Sequence, residues 1–537
     1  MIFNIPSLAK IIEDIFKSKK EDNKQNALGQ IFGVQSKNTF LVKLFDIKER
    51  IVQTHIFDFV EFKYAADNKV RKGLLLDTYL LNQEQWVKVL ANNEIEKIFD
   101  NHPILLNHQP DIVYKLNEIP NNDYLNRFIG IITEQSIISR IRFIYNSKID
   151  ISEGQLLEVT IQKQKVLYQV VEGITRIEQL EQKNQSGLIV GEAIQLGTWN
   201  KEKYQFEQFG WVPEINTPVY IASNIEQPDL KDEEVKVGNI PSTNYPVILN
   251  KRHAITHHTA ILGVTGTGKS VFARELIKEH IKEENTKVIT IDFTKEYWKK
   301  FKNISPVKII DDAKSEKITT TIDWEIKELE KFGNQQNKYG LNKADWIIRR
   351  NFLRGIISFI QGDNKLSIFE LPDVSNSTAI LEYTKMFFQA LFLVAKERMS
   401  YGKRICVVLE EAHTVIPERN YLGTYDKMSQ SVVNSIGQIA LQGRKYDIGF
   451  LVIAQRTANV SKTILTQCNT IIAFQEFDKT SSEFLGNYFG QEIVNSLSKL
   501  KFRQAIAAGK AFKSSVPMIF EVPEIKEPEE KKMKRTK

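Results

Sequence analysis

Cysteine is almost absent: Cys406 and Cys468 are the two in 537 residues. They are too few and too far apart to make a disulfide framework or a four-ligand zinc site, and a reducing, cytoplasmic setting is expected. Long apolar runs are missing too. No stretch approaches the ~18 apolar residues of a membrane span. Lys10, Glu13 and Asp14 interrupt the start of the chain, so Met1 to Phe16 reads as a short amphipathic helix rather than a secretion signal, and no membrane partner is expected. Charge of one sign is also scarce. The 73 basic and 66 acidic residues leave +7, a balance that permits a nucleic-acid partner without demonstrating one. With 42% hydrophobic and 26% charged residues, the chain is neither fibrous nor mostly disordered. Its length exceeds what one core usually organises, so two to four domains are expected.

Residues 1–122 mix short apolar strands, Thr39 to Phe45 and Ile51 to Phe57, with a helix expected around Gln83 to Phe99. The reading is a mixed α/β region of unknown role. From Leu125 the pattern turns to β, with strands at Ile129 to Thr133, Leu156 to Ile161, Leu167 to Val171, Leu188 to Ala193 and Val219 to Ala222, which predicts a small barrel over 123–225. Residues 226–247 carry Pro228, Pro241 and a run of acids and read as a connector.

Beyond it, strand and helix alternate over 248–522, as a parallel sheet covered on both faces requires. Thr259 to Leu262, Val288 to Ile291, Ile405 to Leu409, Phe450 to Ile453, Thr470 to Phe474 and Ala505 to Ala508 are the expected strands, with a helical insertion at about 313–402. The charged stretch 523–537 reads as a tail.

Three segments carry chemistry. Gly263-Val264-Thr265-Gly266-Thr267-Gly268-Lys269-Ser270 follows an apolar strand and opens a helix, the context a P-loop needs. Its glycines let backbone N–H groups curl around phosphate oxygens, and the helix N-terminus running on into Val271 adds its positive dipole end. Lys269 is expected to reach the β- and γ-phosphates of ATP, and Ser270 to hold Mg²⁺. In the second segment, Glu410 and Glu411 end the apolar run Ile405 to Leu409, where open α/β sheets bind ligands. Glu410 is expected near the Mg²⁺ and Glu411 at the water that attacks the γ-phosphate. The third segment runs from Gly443-Arg444-Lys445-Tyr446 to Ala454-Gln455-Arg456-Thr457. The Gln455 amide can orient the water or sense the γ-phosphate, and Arg444 or Arg456 can neutralise transition-state charge if one reaches a neighbour's site.

The series His257-His258-Thr259-Ala260-Ile261-Leu262 into the P-loop, Glu410-Glu411-Ala412-His413, Gly443-Arg444-Lys445-Tyr446, Ala454-Gln455-Arg456 and Leu465-Thr466-Gln467-Cys468-Asn469-Thr470 resembles the HerA family within the HerA/FtsK class of ring ATPases. The resemblance covers roughly 248–522, and 125–223 is similar, less specifically, to the barrel preceding that motor. It implies a RecA-like ATPase core and a homo-oligomer, a hexameric ring, that threads double-stranded DNA with each nucleotide between two subunits. It also implies a partner effector, a nuclease or, in phage defence, a sirtuin-type NAD-hydrolase. Asp292-Phe293-Thr294-Lys295-Glu296-Tyr297 departs from the pattern by lacking a small turn residue before its Glu-Tyr pair.

Asn342-Lys343-Ala344-Asp345 matches a guanine-selecting motif, but no apolar strand precedes it and no Asp-x-x-Gly lies between Ser270 and Asn342; a GTPase reading fails. Two functions stay open: a motor that moves DNA, and an ATP-dependent scaffold that gates an effector.

Overall fold

The computed structural model describes residues 26–45, 54–81, 84–99, 108–117, 122–146, 148–175, 188–292, 297–331, 335–370, 377–418, 436–437 and 441–525. The expected N-terminal helix at Met1 to Phe16 and the tail beyond 525 lie outside these residues. The chain divides into two compact units, one of residues 1–198 and 209–223, the other of residues 199–208 and 224–537.

The first unit corrects the reading of residues 1–122 as mixed α/β. Strands Ala27–Ser36, Thr39–Leu44, Phe59–Lys63, Val70–Leu81, Glu84–Leu90 and Ile112–Lys115 close into a barrel around Phe40, Val42, Val60, Phe62, Val87 and Val89. The helix expected at Gln83 to Phe99 is mostly the strand Glu84–Leu90, followed by a single turn, Asn93–Glu96. Its burial alternates with period two, Val87 and Val89 inward and Lys88 outward, a pattern only a strand satisfies. Of the expected strand Ile51 to Phe57, the described part, 54–57, is turn and coil.

A second barrel follows, and it contains a strand the sequence reading missed, Arg140–Asn146. Gln164–Thr175 pairs with both Leu156–Ile161 and Leu188–Asn200, which closes the ring. Phe143, Leu157, Val159, Tyr168 and Val219 fill its core.

The other unit is built on one eleven-stranded sheet. In chain order its strands are β1 (Glu234–Asn239), β2 (Pro246–Asn250), β3 (Thr259–Leu262), β4 (Thr286–Asp292), β5 (Val307–Lys308), β6 (Leu366–Glu370), β7 (Arg404–Leu409), β8 (Ile448–Ala454), β9 (Thr470–Ala473), β10 (Gln504–Gly509) and β11 (Met518–Glu521). They lie in the order β2-β1-β11-β10-β9-β3-β8-β7-β4-β6-β5. From β5 to β9 the pairings are parallel; beyond β9 they are antiparallel.

Two expectations are corrected here. The connector at 226–247 holds β1 and the start of β2, whose Val237, Val247, Ile248 and Leu249 are buried, so its acids decorate an antiparallel edge. The insertion is not wholly helical: among α2 (Asp312–Leu329), α3 (Lys338–Gln361) and α4 (Ser377–Lys396) it inserts β6, parallel to β4. α4 packs inward through Phe387, Leu391 and Val394, at helical spacing. No helix among the described residues is long and apolar enough to cross a membrane.

Candidate functional site

β3 is four buried residues, and the chain turns sharply after it because Gly263 adopts φ 138°. A Cβ there would stand 2.7 Å from the Cβ of Phe474, so only glycine fits. Gly266 and Gly268 also take positive φ, and Gly268 caps helix α1 (Lys269–Lys282). Phe272, Ala273, Leu276 and Ile277 of α1 are buried. At roughly 1.5–3 kcal/mol per large apolar side chain, this face anchors the loop to the sheet. Ser270 and Val271, on the first turn, stay partly accessible.

The sheet order decides what meets this loop. β8 lies between β3 and β7, so Gln455, one residue past β8, falls between the loop and the acids that follow β7. The Thr265 hydroxyl donates to Gln455 Oε1 at 2.6 Å, and Gln455 Nε2 donates to Glu411 Oε1. One amide therefore joins the loop to the carboxylate. Glu411 adopts φ 47° and ψ 51°, the left-handed region that a non-glycine residue enters at a cost. Its Oε2 is buried without a hydrogen-bond partner and lies 3.3 Å from His413 Nδ1.

Lys269 is 3% exposed. Burial lowers its proton affinity, opposed by Glu410, Glu411 and Glu476. Burial likewise raises the pKa of Glu410, opposed by the Tyr297 hydroxyl and by Lys269. This ammonium among carboxylates, at the end of the glycine loop and the start of α1, is an arrangement that a polyphosphate with a divalent cation would complete. Ser270 and Glu410 are the side chains that could hold the cation.

Arg456 is exposed near the same group, close enough to His413 to lower its pKa, after the larger effects of burial and, opposing, Glu411. Arg444 lies elsewhere. It precedes β8, exposed, and together with burial depresses the pKa of His257 to about 4. His257 leads into β3 from the end opposite the P-loop, so the four residues of β3, about 13 Å at ~3.3 Å per residue, stand between that end and the loop. His258 is structural: its Nδ1 accepts the Phe450 N–H at 3.0 Å. Residues 293–296 of the quoted Asp292 to Tyr297 series lie outside the described residues.

Two groups escaped the sequence reading. Glu476 follows β9 as Glu410 follows β7; it is 2% exposed and accepts from the Thr457 hydroxyl at 2.6 Å. Burial pushes its pKa up to about 7, with Asp478 adding to the rise and Lys269 opposing it. An acid closing an apolar strand was the available signal. Tyr297, 4% exposed, stacks on Phe301 and donates to Glu410.

Residues 235–493 match the family model of the helicase HerA central domain. These residues are similar to the P-loop ATPase domain of the HerA/FtsK class. The chain is 23% identical over 364 residues to the DNA double-strand break repair helicase HerA of Sulfurisphaera tokodaii, covering 55% of this chain and 71% of that one. The counterpart from Saccharolobus solfataricus is also 23% identical, over 56% of this chain and 71% of its own. Among solved structures, the genome packaging NTPase B204 of Sulfolobus turreted icosahedral virus 2 aligns at TM-score 0.33 and 12% identity, covering 50% of this chain and 98% of that one. A HerA-like P-loop ATPase uses ATP with Mg²⁺.

Proposed function

We propose that the HerA-like chain is the subunit of an ATP-driven hexameric ring that translocates on double-stranded DNA, each active site being completed by a neighbour. The observation that carries this reading is the split of the expected machinery. Lys269, Glu410, Glu411 and Gln455 gather at the carboxyl ends of β3, β7 and β8, while Arg444 sits at the other edge beside His257. An arginine there serves no phosphate of its own subunit, but a ring brings it to the next subunit's site. The names of the relatives as DNA double-strand break repair helicases support DNA as the track.

In this reading Lys269 neutralises the β- and γ-phosphates. Ser270 and Glu410 hold the Mg²⁺, which supplies charge neutralisation at the phosphates. Glu411 takes the proton of the attacking water, and Gln455, bonded to Thr265 and Glu411, fixes that water relative to the loop. Arg444 stabilises transition-state charge in trans, and Arg456 is the second cation available. A nuclease or sirtuin-type NAD-hydrolase acts as the partner effector.

Hydrolysis measured with and without linear duplex DNA tests the proposal. A motor accelerates several-fold with DNA. An unchanged rate in a protein that still assembles with ATP would replace the motor by a scaffold that gates its effector.

A further inference from the structure

The two sides of the P-loop strand are not equivalent. β8 and β7 lie on one side of β3 and carry Gln455, Glu410 and Glu411, which marks that side as the γ-phosphate end. β9 and β10 lie on the other. A nucleotide whose γ-phosphate faces the acids must send its ribose and base toward β9 and β10.

The turn before β10 is fastened to the loop there. Arg503 N–H donates to the Thr267 carbonyl at 3.1 Å, and a Cβ on Gly268 would stand 3.6 Å from the Cα and Cγ of Arg503. Arg503 adopts φ 66°, a conformation that persists only when neighbours over-determine it. They do so here. Its carbonyl accepts from Val522 N–H at 2.9 Å, Gln504 N–H donates to the Lys501 carbonyl at 2.9 Å, and its guanidinium pairs with Glu521 at 3.6 Å. On this fixed turn sits Phe502, 66% exposed. A lone exposed aromatic is ordinary; this one is carried by the turn whose next residue is bonded to the P-loop.

We infer that Phe502 is the floor of the nucleobase subsite, stacking its ring on the base of ATP. The inference rests on the ATPase reading of the P-loop. Phe477, equally exposed at 66%, is the internal control: its segment meets the loop at Val264, through the Gln475 carbonyl at 3.0 Å, where the loop leaves β3 rather than where the helix begins.

Calorimetric titration of the full chain with ATPγS and with inorganic tripolyphosphate, both with Mg²⁺, tests the assignment. Stacking on an aromatic ring is worth roughly five- to a hundredfold in affinity. Phe502→Ala should therefore bind ATPγS about tenfold more weakly while tripolyphosphate binding stays unchanged, Phe502→Trp should restore ATPγS, and Phe477→Ala should leave both alone. Equal weakening of both ligands would assign Phe502 to supporting the loop and overturn the subsite. So would undiminished ATPγS affinity in Phe502→Ala, or a selective loss in Phe477→Ala instead. Failure of the unaltered chain to bind either probe would bring down the ATPase reading, and the base subsite with it.

Discussion

The Tyr297 hydroxyl donates a 2.5 Å hydrogen bond to Oε2 of Glu410. Burial raises the pKa of the phenol, and Glu410 and Asp292 raise it further, so Tyr297 keeps its proton and serves as a fixed donor to the carboxylate expected at Mg²⁺. The ring is held by Phe301, stacked at 5.3 Å with 2° between planes, and the backbone N–H by Asp292 Oδ2 at 2.9 Å. Tyr297→Phe keeps the stack and deletes the donor. Hydrogen bonds to charged groups contribute about 1.5–3 kcal/mol, so the Mg²⁺ concentration for half-maximal hydrolysis should shift by roughly ten- to a hundredfold. A magnesium titration at fixed ATP measures it; an unchanged midpoint with lowered turnover would place Tyr297 outside the cation's environment.

Glu411→Gln should keep ATP binding and lose at least about a hundredfold in hydrolysis, the usual scale for removing a general base. The amide oxygen can still accept from Gln455, so the link to Thr265 survives and the loss reflects proton transfer rather than collapse of the site. Glu410→Gln should mainly alter the Mg²⁺ requirement. Nucleotide affinity and turnover measured in both variants separate the roles, which must be exchanged if Glu410→Gln is the variant that traps ATP.

What could be read from residue order was local. The strand Thr259–Leu262, the glycine spacing after it and the acids after Leu409 are contiguous patterns whose physics is self-contained, and the structure places each of them at one sheet edge. What escaped depends on distant partners. Leu366–Glu370 is strand because β4 offers it a ladder, a fact absent from five residues flanked by helical periodicity. The acids of 229–234 suggested a connector because their composition outweighed the short apolar stretches beside them, which are buried only once β1 and β2 pair. Glu476 comes near Lys269 because β9 neighbours β3, and an acid after an apolar strand hints at such a place without saying which strand lies next to it. Glu84–Leu90 is a plainer error, since its two-residue alternation was present in the sequence.

Glu476 should give the ATPase unit a distinctive pH response. Its folded-state pKa is about 7 against an ordinary 4.5, so between those values the folded state holds more protons than the unfolded one. The corresponding stabilisation is present below about pH 4.5 and is lost as pH rises through 7. Glu476→Gln stays neutral and can still accept the Thr457 hydroxyl. The variant should gain about 1–3 kcal/mol relative to the unaltered chain on going from pH 4.5 to pH 8, judged from ~1.36 kcal/mol per pKa unit. Unfolding of the nucleotide-free proteins across this range checks it; a difference independent of pH would mean that Glu476 ionises normally in the fold.

Arg444 gives the test of assembly. Its position beside His257, at the end of β3 away from the loop, leaves it nothing to stabilise at its own Lys269. Arg444→Ala should therefore bind ATP normally and hydrolyse it at least about a hundredfold more slowly, the scale of losing a transition-state cation. Lys269→Ala should be inactive for the complementary reason. When the two inactive chains are mixed, some interfaces combine an intact Lys269 on one protomer with an intact Arg444 on its partner, and activity should return in proportion to those interfaces. Differently tagged chains must first be shown to exchange, and unaltered sites diluted to the same fraction must remain active. If exchange occurs and nothing returns, Arg444 does not act across the interface, and the same mixing experiment with Arg456→Ala becomes decisive. Arg456 lies near its own Glu411 and His413, so rescue there would require the interface to form around the carboxyl ends of β7 and β8 rather than against the edge that carries His257.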